Sequence, residues 1–281
     1  MSSATEKLKR LALKVLPEAV LFPARKYHHL RVITDFQIED EPELELVSRL
    51  VQPGQTVLDV GANIGVYSKF LSQFVGASGA VYSFEPIPTT YKILANNISK
   101  LRLLNVVPYN FAATSLAGEM TMVVPKWDSG GENFYQARLV LDDSSAGYSR
   151  KVLVKTTTLD LIWDKLSNPH VSFVKIDVEG AELECLRGAQ RLLKACEPAL
   201  LVEVSGNLDA ESNVGGRTNS SNGSAVLLNQ LLTKLGYSVF VYDKSELRVR
   251  RAGESFVNYV FLKDSHLEIL GVPSLKFASN I

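Results

Sequence analysis

Two short segments place carboxylates and turn glycines in the order that a nucleoside-binding site requires. The first segment, VLDVGANIGVYS, runs from Val57 to Ser68, and the second, VYSFEP, runs from Val81 to Pro86. A strand that leads into a glycine-bearing turn and a helix presents backbone N–H groups to a ligand. Glu85 follows Gly65 by 20 positions, which suits an acid that accepts hydrogen bonds from ribose hydroxyls.

The residue types within the turn distinguish between two kinds of nucleoside ligand. A dinucleotide fingerprint carries three glycines, G-x-G-x-x-G, because the backbone must approach a pyrophosphate closely. This chain has Asn63 between Gly61 and Gly65, and Asp59 just before the turn, where a carboxylate would repel a phosphate. An acid there suits the amino group and the sulfonium of S-adenosylmethionine, so the segment favours methyl transfer.

Two other functions are compatible with the same turn and stay open at this point. A nicotinamide-dependent oxidoreductase would bind its dinucleotide there, although the three-glycine fingerprint is missing. A non-catalytic nucleoside-binding protein could use the same fold, although acids at three predicted strand ends argue for an enzyme. Calorimetry with S-adenosylmethionine and with NAD distinguishes a methyltransferase from an oxidoreductase. Turnover to S-adenosylhomocysteine distinguishes a methyltransferase from a non-catalytic protein.

The composition limits the class of protein and the kinds of partner. Hydrophobic residues make up 46% of the 281 positions, enough for a sizeable core. Lysine plus arginine and aspartate plus glutamate number 30 each, which argues against nucleic acid as a partner. The two cysteines, Cys185 and Cys196, provide no metal knuckle. No apolar run approaches the ~20 residues of a membrane span, and no secretory leader is evident, so we expect a cytoplasmic protein.

Residues 1–40 are predicted to form a helical arm ahead of a main domain at 41–281. Apolar residues recur there at helical spacing beside lysines: Leu8, Leu11, Ala12, Val15 and Leu16. This pattern predicts a short basic amphipathic helix. Such a helix can dock on the main domain or on a second subunit, which would make the protein a homo-oligomer. The alternative is contact with a membrane surface that brings the enzyme to a lipid-linked acceptor.

From residue 41 onward the chain alternates strands with helices, which predicts an α/β protein with a doubly wound parallel sheet. Strands are predicted at 56–60, 80–85, 105–110, 171–176 and 198–204, and a single helix after the fourth strand runs through Lys194. Apolar runs at 237–242 and 256–262 predict a terminal antiparallel pair. Alternating residues between 118 and 157 predict an inserted hairpin, with the polar and aromatic residues 127–135 near the substrate. The Gly-, Ser- and Asn-rich residues 205–224 are predicted to be a flexible loop or lid.

This pattern resembles the class I S-adenosylmethionine-dependent methyltransferase fold, Rossmann-like, with a seven-stranded and mostly parallel sheet. Together with VKIDVEGAELECLRGA at 174–189, the two segments above resemble the FkbM family of methyltransferases over about residues 40 to 262. The resemblance implies O-methylation of a hydroxyl on a sugar, a glycolipid or a polyketide-type natural product. By matching position it implies that S-adenosylmethionine contacts Asp59, Gly61, Ala62, Asn63, Gly65, Val66, Tyr67, Glu85, Pro86, Asn110 and Ala112.

A base is needed for this chemistry, because an alkyl hydroxyl is about as weak an acid as water. A positioned carboxylate contributes roughly 10²–10⁴-fold to such a reaction. Asp177, Glu179 and Glu203 end adjacent predicted strands on the ligand side and are the candidate catalytic residues. Asp177 could instead orient the methionine part of the cofactor, and Glu203 could pair with a nearby cation.

Two further expectations concern the acids in this region. Glu182 lies in the first turn of the next helix, where an acid stabilises the helix dipole, so we expect a structural role for it. No histidine or third acid is predicted at ligand spacing beside Asp177 and Glu203. We therefore expect catalysis without a metal ion.

Overall fold

The computed structural model describes residues 18–125, 138–139, 148–209 and 220–273. These residues form an α/β fold with one large sheet, one small sheet and helices on both faces of the large sheet. The amphipathic helix predicted at residues 8–16 and the polar stretch 127–135 lie outside the described residues.

The strands and helices follow the predicted alternation. The strands are β1 (Thr56–Val60), β2 (Ala80–Phe84), β3 (Val106–Tyr109), β4 (Ala112–Ala113), β5 (Gly118–Pro125), β6 (Arg138–Leu139), β7 (Tyr148–Thr157), β8 (Val171–Ile176), β9 (Ala199–Glu203), β10 (Ser238–Asp243), β11 (Glu246–Val249) and β12 (Asn258–Leu262). The helices are α1 (Glu18–Asp35), α2 (Glu43–Leu50), α3 (Val66–Val75), α4 (Pro88–Lys100), α5 (Leu159–Lys165), α6 (Glu182–Arg187), α7 (Gln190–Cys196), α8 (Ser220–Lys234) and α9 (Asp264–Leu270).

The large sheet has the strand order β11-β10-β12-β9-β8-β1-β2-β3. The strands from β9 to β3 are parallel, whereas β12 is antiparallel to both β9 and β10. The α/β class and the terminal antiparallel pair are therefore confirmed. The sheet has eight strands rather than seven, because β11 forms a hairpin with β10 at the edge. The strand order reverses between β1 and β8, and such a reversal opens a ligand crevice at the carboxyl ends of the strands.

The inserted segment forms a second sheet with the strand order β4-β7-β5-β6. The predicted hairpin corresponds to β5 and β7, which pair antiparallel along most of their length. The structure adds β4, which follows β3 directly and pairs parallel with the end of β7. This small sheet is thereby attached beside the carboxyl ends of β2 and β3.

Alternating side chains of β1 enter two hydrophobic clusters on opposite faces of the large sheet. Leu58 and Val60 belong to the cluster beneath α6, α7 and α8, and Val57 belongs to the cluster beneath α2, α3 and α4. Asp59 has the same strand parity as Val57, so its side chain lies on the α3 face. The packing of the core therefore fixes the direction in which each of these β1 side chains points.

Two predictions about helices are corrected. The single helix predicted through Lys194 is wrong, because α6 ends at Arg187 and α7 begins at Gln190. Gly188 lies in the break, where a Cβ would stand 2.0 Å from the carbonyl oxygen of Thr114. Residues 220–224, predicted as part of the loop, belong to α8. Residues 210–219 lie outside the described part of the chain, so the lid stays a prediction.

The described part of the N-terminal arm contacts the main domain through the end of α1. Ile33 is buried, and the Nζ of Lys69 on α3 donates hydrogen bonds to the carbonyl oxygens of Ile33 (2.9 Å) and Phe36 (2.8 Å). A cation at a helix C-terminus is favourable because it compensates the helix dipole. This contact holds residues 36–41 next to the start of α3, while the domain boundary at residue 40 stays a prediction.

Candidate active site

A cavity of about 260 Å³ lies at the carboxyl ends of β1, β2, β8 and β9, at the predicted crevice. Its lining combines apolar side chains with a few carboxylates, the usual composition of a cofactor site. We call it the cofactor cavity. It is lined by Val60, Gly61, Asn63, Phe84, Glu85, Pro86, Ile87, Phe111, Ala112, Ala113, Met122, Asp177, Val178, Glu179, Ala181 and Glu203.

The turn after β1 is built from three left-handed positions. Gly61, Asn63 and Gly65 have φ angles of +83°, +51° and +99°. Asparagine is one of the few residues with a side chain that adopts this conformation readily, so Asn63 replaces the middle glycine without changing the course of the backbone. At Gly61 a Cβ would lie 1.7 Å from the carbonyl oxygen of Asp177. The absence of a side chain there lets the ends of β1 and β8 approach each other.

Gly61→Ala is expected to destabilise the fold more strongly than Gly271→Ala. Both positions have positive φ, at +83° and +70°, and an alanine in the left-handed region costs about 1–2 kcal/mol. A Cβ at Gly271 meets nothing within 4 Å, whereas one at Gly61 adds an overlap with backbone, for which overpacking costs of about 1–3 kcal/mol are typical. Urea unfolding of both variants measures the difference. Equal losses of unfolding free energy in the two variants would contradict this account of the turn.

Glu85 connects the turn with the end of β2. Its Oε2 accepts a hydrogen bond from the backbone N–H of Asn63 (3.1 Å), and its Oε1 accepts one from the N–H of Ile87 (2.9 Å). Burial raises the pKa of Glu85 to about 8, although the two backbone N–H groups oppose the shift. Each carboxylate oxygen can accept a second hydrogen bond, so the residue can still receive hydroxyl donors from a ligand in the cavity.

Three carboxylates meet where β8 and β9 end. Oxygen atoms of Asp177, Glu179 and Glu203 lie within 4.8 Å of one another. Glu179 reaches this position because it and Gly180 both adopt left-handed backbone conformations, with φ of +51° and +94°. The expectation that no third acid joins Asp177 and Glu203 is therefore wrong. Three carboxylates at this spacing could also bind a divalent cation through oxygen ligands.

The three acids have different surroundings. The Oδ2 of Asp177 accepts a hydrogen bond from the Nζ of Lys175 at 2.9 Å, so a neighbouring ammonium balances its charge. Burial, together with the charges of Asp177 and Glu179, raises the pKa of Glu203 to about 7. A general base works best with a pKa near the working pH, so Glu203 fits that role better than Asp177.

Lys175 and Asp59 form a buried polar pair beneath the turn. The register of β1 and β8 places them side by side, and the Oδ2 of Asp59 accepts a hydrogen bond from Ser68 Oγ at 2.6 Å. Burial raises the pKa of Asp59. Burial opposes ionisation of Lys175, but the charges of Asp177 and Asp59 raise its pKa overall. Asp59 is fully buried and does not line the cofactor cavity, so its predicted contact with the cofactor has no support in this geometry.

The other residues predicted to contact the cofactor do not all lie in the same cavity. Gly61, Asn63, Glu85, Pro86 and Ala112 line the cofactor cavity. By contrast, Ala62, Val66 and Tyr67 line a second cavity on the other side of Asp177. Gly65 precedes α3 and lines neither cavity. Asn110 lies in a groove beside the small sheet, where its amide donates hydrogen bonds to the carbonyl oxygens of Glu85 (2.8 Å) and Pro86 (2.9 Å).

Glu182 shows the contacts of a structural acid. It is buried in the first turn of α6, and its Oε1 accepts a hydrogen bond from the backbone N–H of Gly180 at 2.7 Å. Burial raises its pKa to about 7. This bond fixes the left-handed turn that carries Glu179.

Sequence reasoning missed several residues that shape the two cavities. Phe111 and Met122 contribute apolar wall to the cofactor cavity, and Glu41 and Asn258 contribute polar groups to the second cavity. Their contact with the site depends on tertiary packing, which no local pattern reports. Lys175 did carry a signal, because it is the one charged residue within the otherwise apolar strand VSFVKI.

Comparisons with known proteins identify the family of this chain. The chain matches the model of the Methyltransferase FkbM domain over residues 59–239. It is 24% identical over 191 residues to the hexuronic acid methyltransferase AglP of Haloferax volcanii, covering 68% of this chain and 72% of that protein.

Two solved methyltransferase structures also align with this chain. The methyltransferase FkbM from Methylobacillus flagellatus aligns with a TM-score of 0.46 and 17% identity, covering 82% of this chain and 52% of that one. This chain thus spans about half the length of that protein. A SAM-dependent O-methyltransferase from Thermotoga maritima aligns with a TM-score of 0.42 and 14% identity, covering 79% and 64% of the two chains.

The strand order and the glycine turn, with an acid after the second strand, define a class I methyltransferase fold. The chain belongs to the FkbM family of methyltransferases, and its cofactor is S-adenosylmethionine. Both predictions from the sequence are thereby confirmed, and the nicotinamide alternative is set aside. Within the described ranges, no helix combines the length and apolar character needed to cross a bilayer. The cytoplasmic location stays a prediction.

Proposed function

We propose that this protein transfers a methyl group from S-adenosylmethionine to a hydroxyl of a sugar, carried by a small molecule or a glycan. The observation that supports the proposal is the carboxylate cluster of Asp177, Glu179 and Glu203 at the edge of the cofactor cavity. The relative named a hexuronic acid methyltransferase supports a sugar as the acceptor, since a hexuronic acid is a sugar.

The lining of the cofactor cavity fits the cofactor. S-adenosylmethionine, when bound, supplies a methyl group on a positively charged sulfur. Glu85 would accept hydrogen bonds from its ribose hydroxyls, and the turn from Gly61 to Asn63 would contact it through the backbone. Phe111 and Met122 provide apolar surface for the adenine ring. Asp177, Glu179 and Glu203 line the same cavity, and their carboxylates would compensate the sulfonium charge.

Glu203 serves as the base in this proposal, because its pKa of about 7 leaves much of it ionised near neutral pH. The acceptor oxygen forms the new O–C bond while its proton moves to the carboxylate of Glu203. The electron pair of the broken C–S bond stays on sulfur and leaves S-adenosylhomocysteine. Lys175 holds the side chain of Asp177 in place through the 2.9 Å contact.

A hydroxyl fits this arrangement better than a carboxylate as the accepting group. A carboxylate oxygen has no proton to lose, so a base beside it would contribute nothing. It would also have to approach three acids, and like charges within ~4–6 Å of each other disfavour the charged form. The cluster is therefore better explained by ether formation than by ester formation.

The proposal is tested by incubating the full chain with methyl-labelled S-adenosylmethionine and a panel of mono- and oligosaccharide acceptors. We expect S-adenosylhomocysteine and an O-methyl sugar in equal amounts, with the position of the methyl group assigned by NMR. Glu268→Gln, a change at an exposed site on α9, serves as the control with unchanged turnover. Tight cofactor binding without methylation of any acceptor would favour the non-catalytic alternative.

A further inference from the structure

A second cavity of about 220 Å³ adjoins the cofactor cavity. It lies between the start of α3, residues 36–41 of the arm and the carboxyl ends of β8 and β9. Asp177 and Glu203 line both cavities and therefore form the boundary between them. The remaining lining residues are Phe36, Glu41, Ala62, Val66, Tyr67, Lys175 and Asn258. We call it the boundary cavity.

The position of the boundary cavity suits an acceptor. In an in-line displacement the accepting oxygen must approach the methyl carbon from the side opposite the sulfur, so it must come from a space next to the cofactor. The boundary cavity is such a space, and the residue that fits the base, Glu203, faces it as well as the cofactor cavity. A hydroxyl held there has a carboxylate within reach for its proton.

The charges around this cavity point to the kind of acceptor it can hold. Glu41, Asp177 and Glu203 contribute three carboxylates, and Glu43 adds a fourth nearby, where its Oε1 accepts a hydrogen bond from Asn258 Nδ2 at 2.9 Å. Among the described residues that line the cavity, Lys175 is the one cation. Its ammonium already contacts Asp177 at 2.9 Å.

The geometry of Lys175 and Glu41 limits what each can offer a ligand. Lys175 lies beside the buried Asp59 in the β1–β8 register and 4.5 Å above the ring of Tyr67. Its charge is therefore already offset by Asp59 and by the half-buried Asp177. Glu41 is oriented by the hydroxyl of Tyr67, which donates to Oε1 at 3.0 Å. The polar surface of the cavity thus consists mainly of hydrogen-bond acceptors with excess negative charge. Such a surface binds hydroxyl or ammonium donors and repels anions.

We infer that the boundary cavity is the acceptor subsite and that it selects sugars without a carboxylate, either uncharged or bearing an amine, over uronic acids. The inference rests on the proposed function and narrows its substrate class. Glu41 acts here as a specificity-determining residue, since it lines the boundary cavity but not the cofactor cavity. The ring of Phe36 adds an apolar surface of the kind that the C–H face of a sugar can pack against.

The substrate class is tested with three glycosides matched in size, the p-nitrophenyl β-glycosides of glucose, glucosamine and glucuronic acid, at saturating labelled S-adenosylmethionine. We expect label on the glucoside or the glucosaminide at least tenfold faster than on the glucuronide. A glucuronide that is labelled equally fast or faster overturns the inference while the proposed sugar methylation stands. Label on none of the three, in a protein that binds the cofactor, contradicts the proposed function as well.

The location of the subsite is tested separately through binding, with S-adenosylhomocysteine as the probe. The dissociation constant of S-adenosylhomocysteine for Glu41→Gln should stay within twofold of the wild-type value, because Glu41 lies outside the cofactor cavity. In the same variant the rate ratio of glucuronide to glucoside should rise at least threefold. Glu39→Gln, at an exposed position on the same segment, is the matched control and should change neither value. Tenfold weaker S-adenosylhomocysteine binding in Glu41→Gln would assign the boundary cavity to the cofactor instead and overturn the inference.

Discussion

Replacing Glu85 with glutamine is expected to weaken S-adenosylmethionine binding by about 10- to 150-fold at pH 9, where the wild-type carboxyl is largely ionised. The change keeps the size of the side chain but removes the charge, and a hydrogen bond to a charged group contributes about 1.5–3 kcal/mol, where each 1.4 kcal/mol is about tenfold. Isothermal titration of the variant against the wild type measures the loss. Glu268→Gln, which changes the same residue type at an exposed position, controls for the chemistry of the substitution.

The same residue predicts how cofactor affinity depends on pH. The pKa of Glu85 is about 8 because the carboxyl is buried, so about one-tenth of it is ionised at pH 7 and about nine-tenths at pH 9. The ionised form accepts the stronger ribose hydrogen bonds, and apparent affinity scales with the fraction in the binding-competent state. Affinity should therefore rise about tenfold from pH 7 to pH 9 in the wild type, and Glu85→Gln should lose that rise. If a folded Glu85→Gln protein binds the cofactor with wild-type affinity, the ribose lies elsewhere.

The parts of the fold that the sequence predicted correctly are those with a local signal. The mostly apolar residues at 56–60, followed directly by the glycine turn, predicted β1 with its observed bounds. The helix break at Gly188 carried a weaker signal, since the contact that excludes a side chain there is with the backbone of Thr114, more than 70 positions earlier in the chain. Likewise, β11 is short and mixed in polarity, and it exists because β10 offers an unpaired edge.

In the candidate site, too, some features were predictable from the local sequence and others depend on tertiary packing. Glu85 and the glycine turn were predictable because two consecutive strand ends carry them in a fixed order. The division of Gly61 and Ala62 between two cavities was not predictable, since adjacent residues of a tight turn point in different directions. Glu179 joined the acid cluster through a left-handed backbone conformation that is uncommon for glutamate. Its proximity to Asp177 and Glu203 therefore required the structure.

The second large effect is a loss of catalytic rate on replacing Glu203. Glu203→Gln should lower kcat by about 10²–10⁴-fold, the usual contribution of a positioned general base, because the amide cannot take up the hydroxyl proton. Affinity for S-adenosylhomocysteine, whose sulfur is uncharged, should stay within about threefold, since the ribose contact and the glycine turn are untouched. Single-turnover kinetics with labelled cofactor and calorimetry on the same preparation separate the two quantities. Glu246→Gln, at an exposed position on β11, is the control.

The pH profile distinguishes a base from a residue that only supports the structure. The pKa of Glu203 is about 7, and the base must be unprotonated, so the wild-type rate should fall as the pH drops below 7, by about tenfold per unit. Glu203→Gln should lose this acid limb, whereas a structural role would leave the limb in place at a lower overall rate. A chelator should have no effect if the carboxylate acts alone.

Because three carboxylates lie together, a chelator experiment distinguishes a metal site from metal-free base catalysis. Activity that EDTA removes and magnesium restores would mean that Asp177, Glu179 and Glu203 act together on a divalent cation, which would lower the pKa of the hydroxyl in place of a base. In that case Glu179→Gln should be as damaging as Glu203→Gln. With metal-free catalysis the loss should instead concentrate at Glu203, because Asp177 is already paired with Lys175. Full activity in both Glu203→Gln and Asp177→Asn would exclude both residues from the proton transfer.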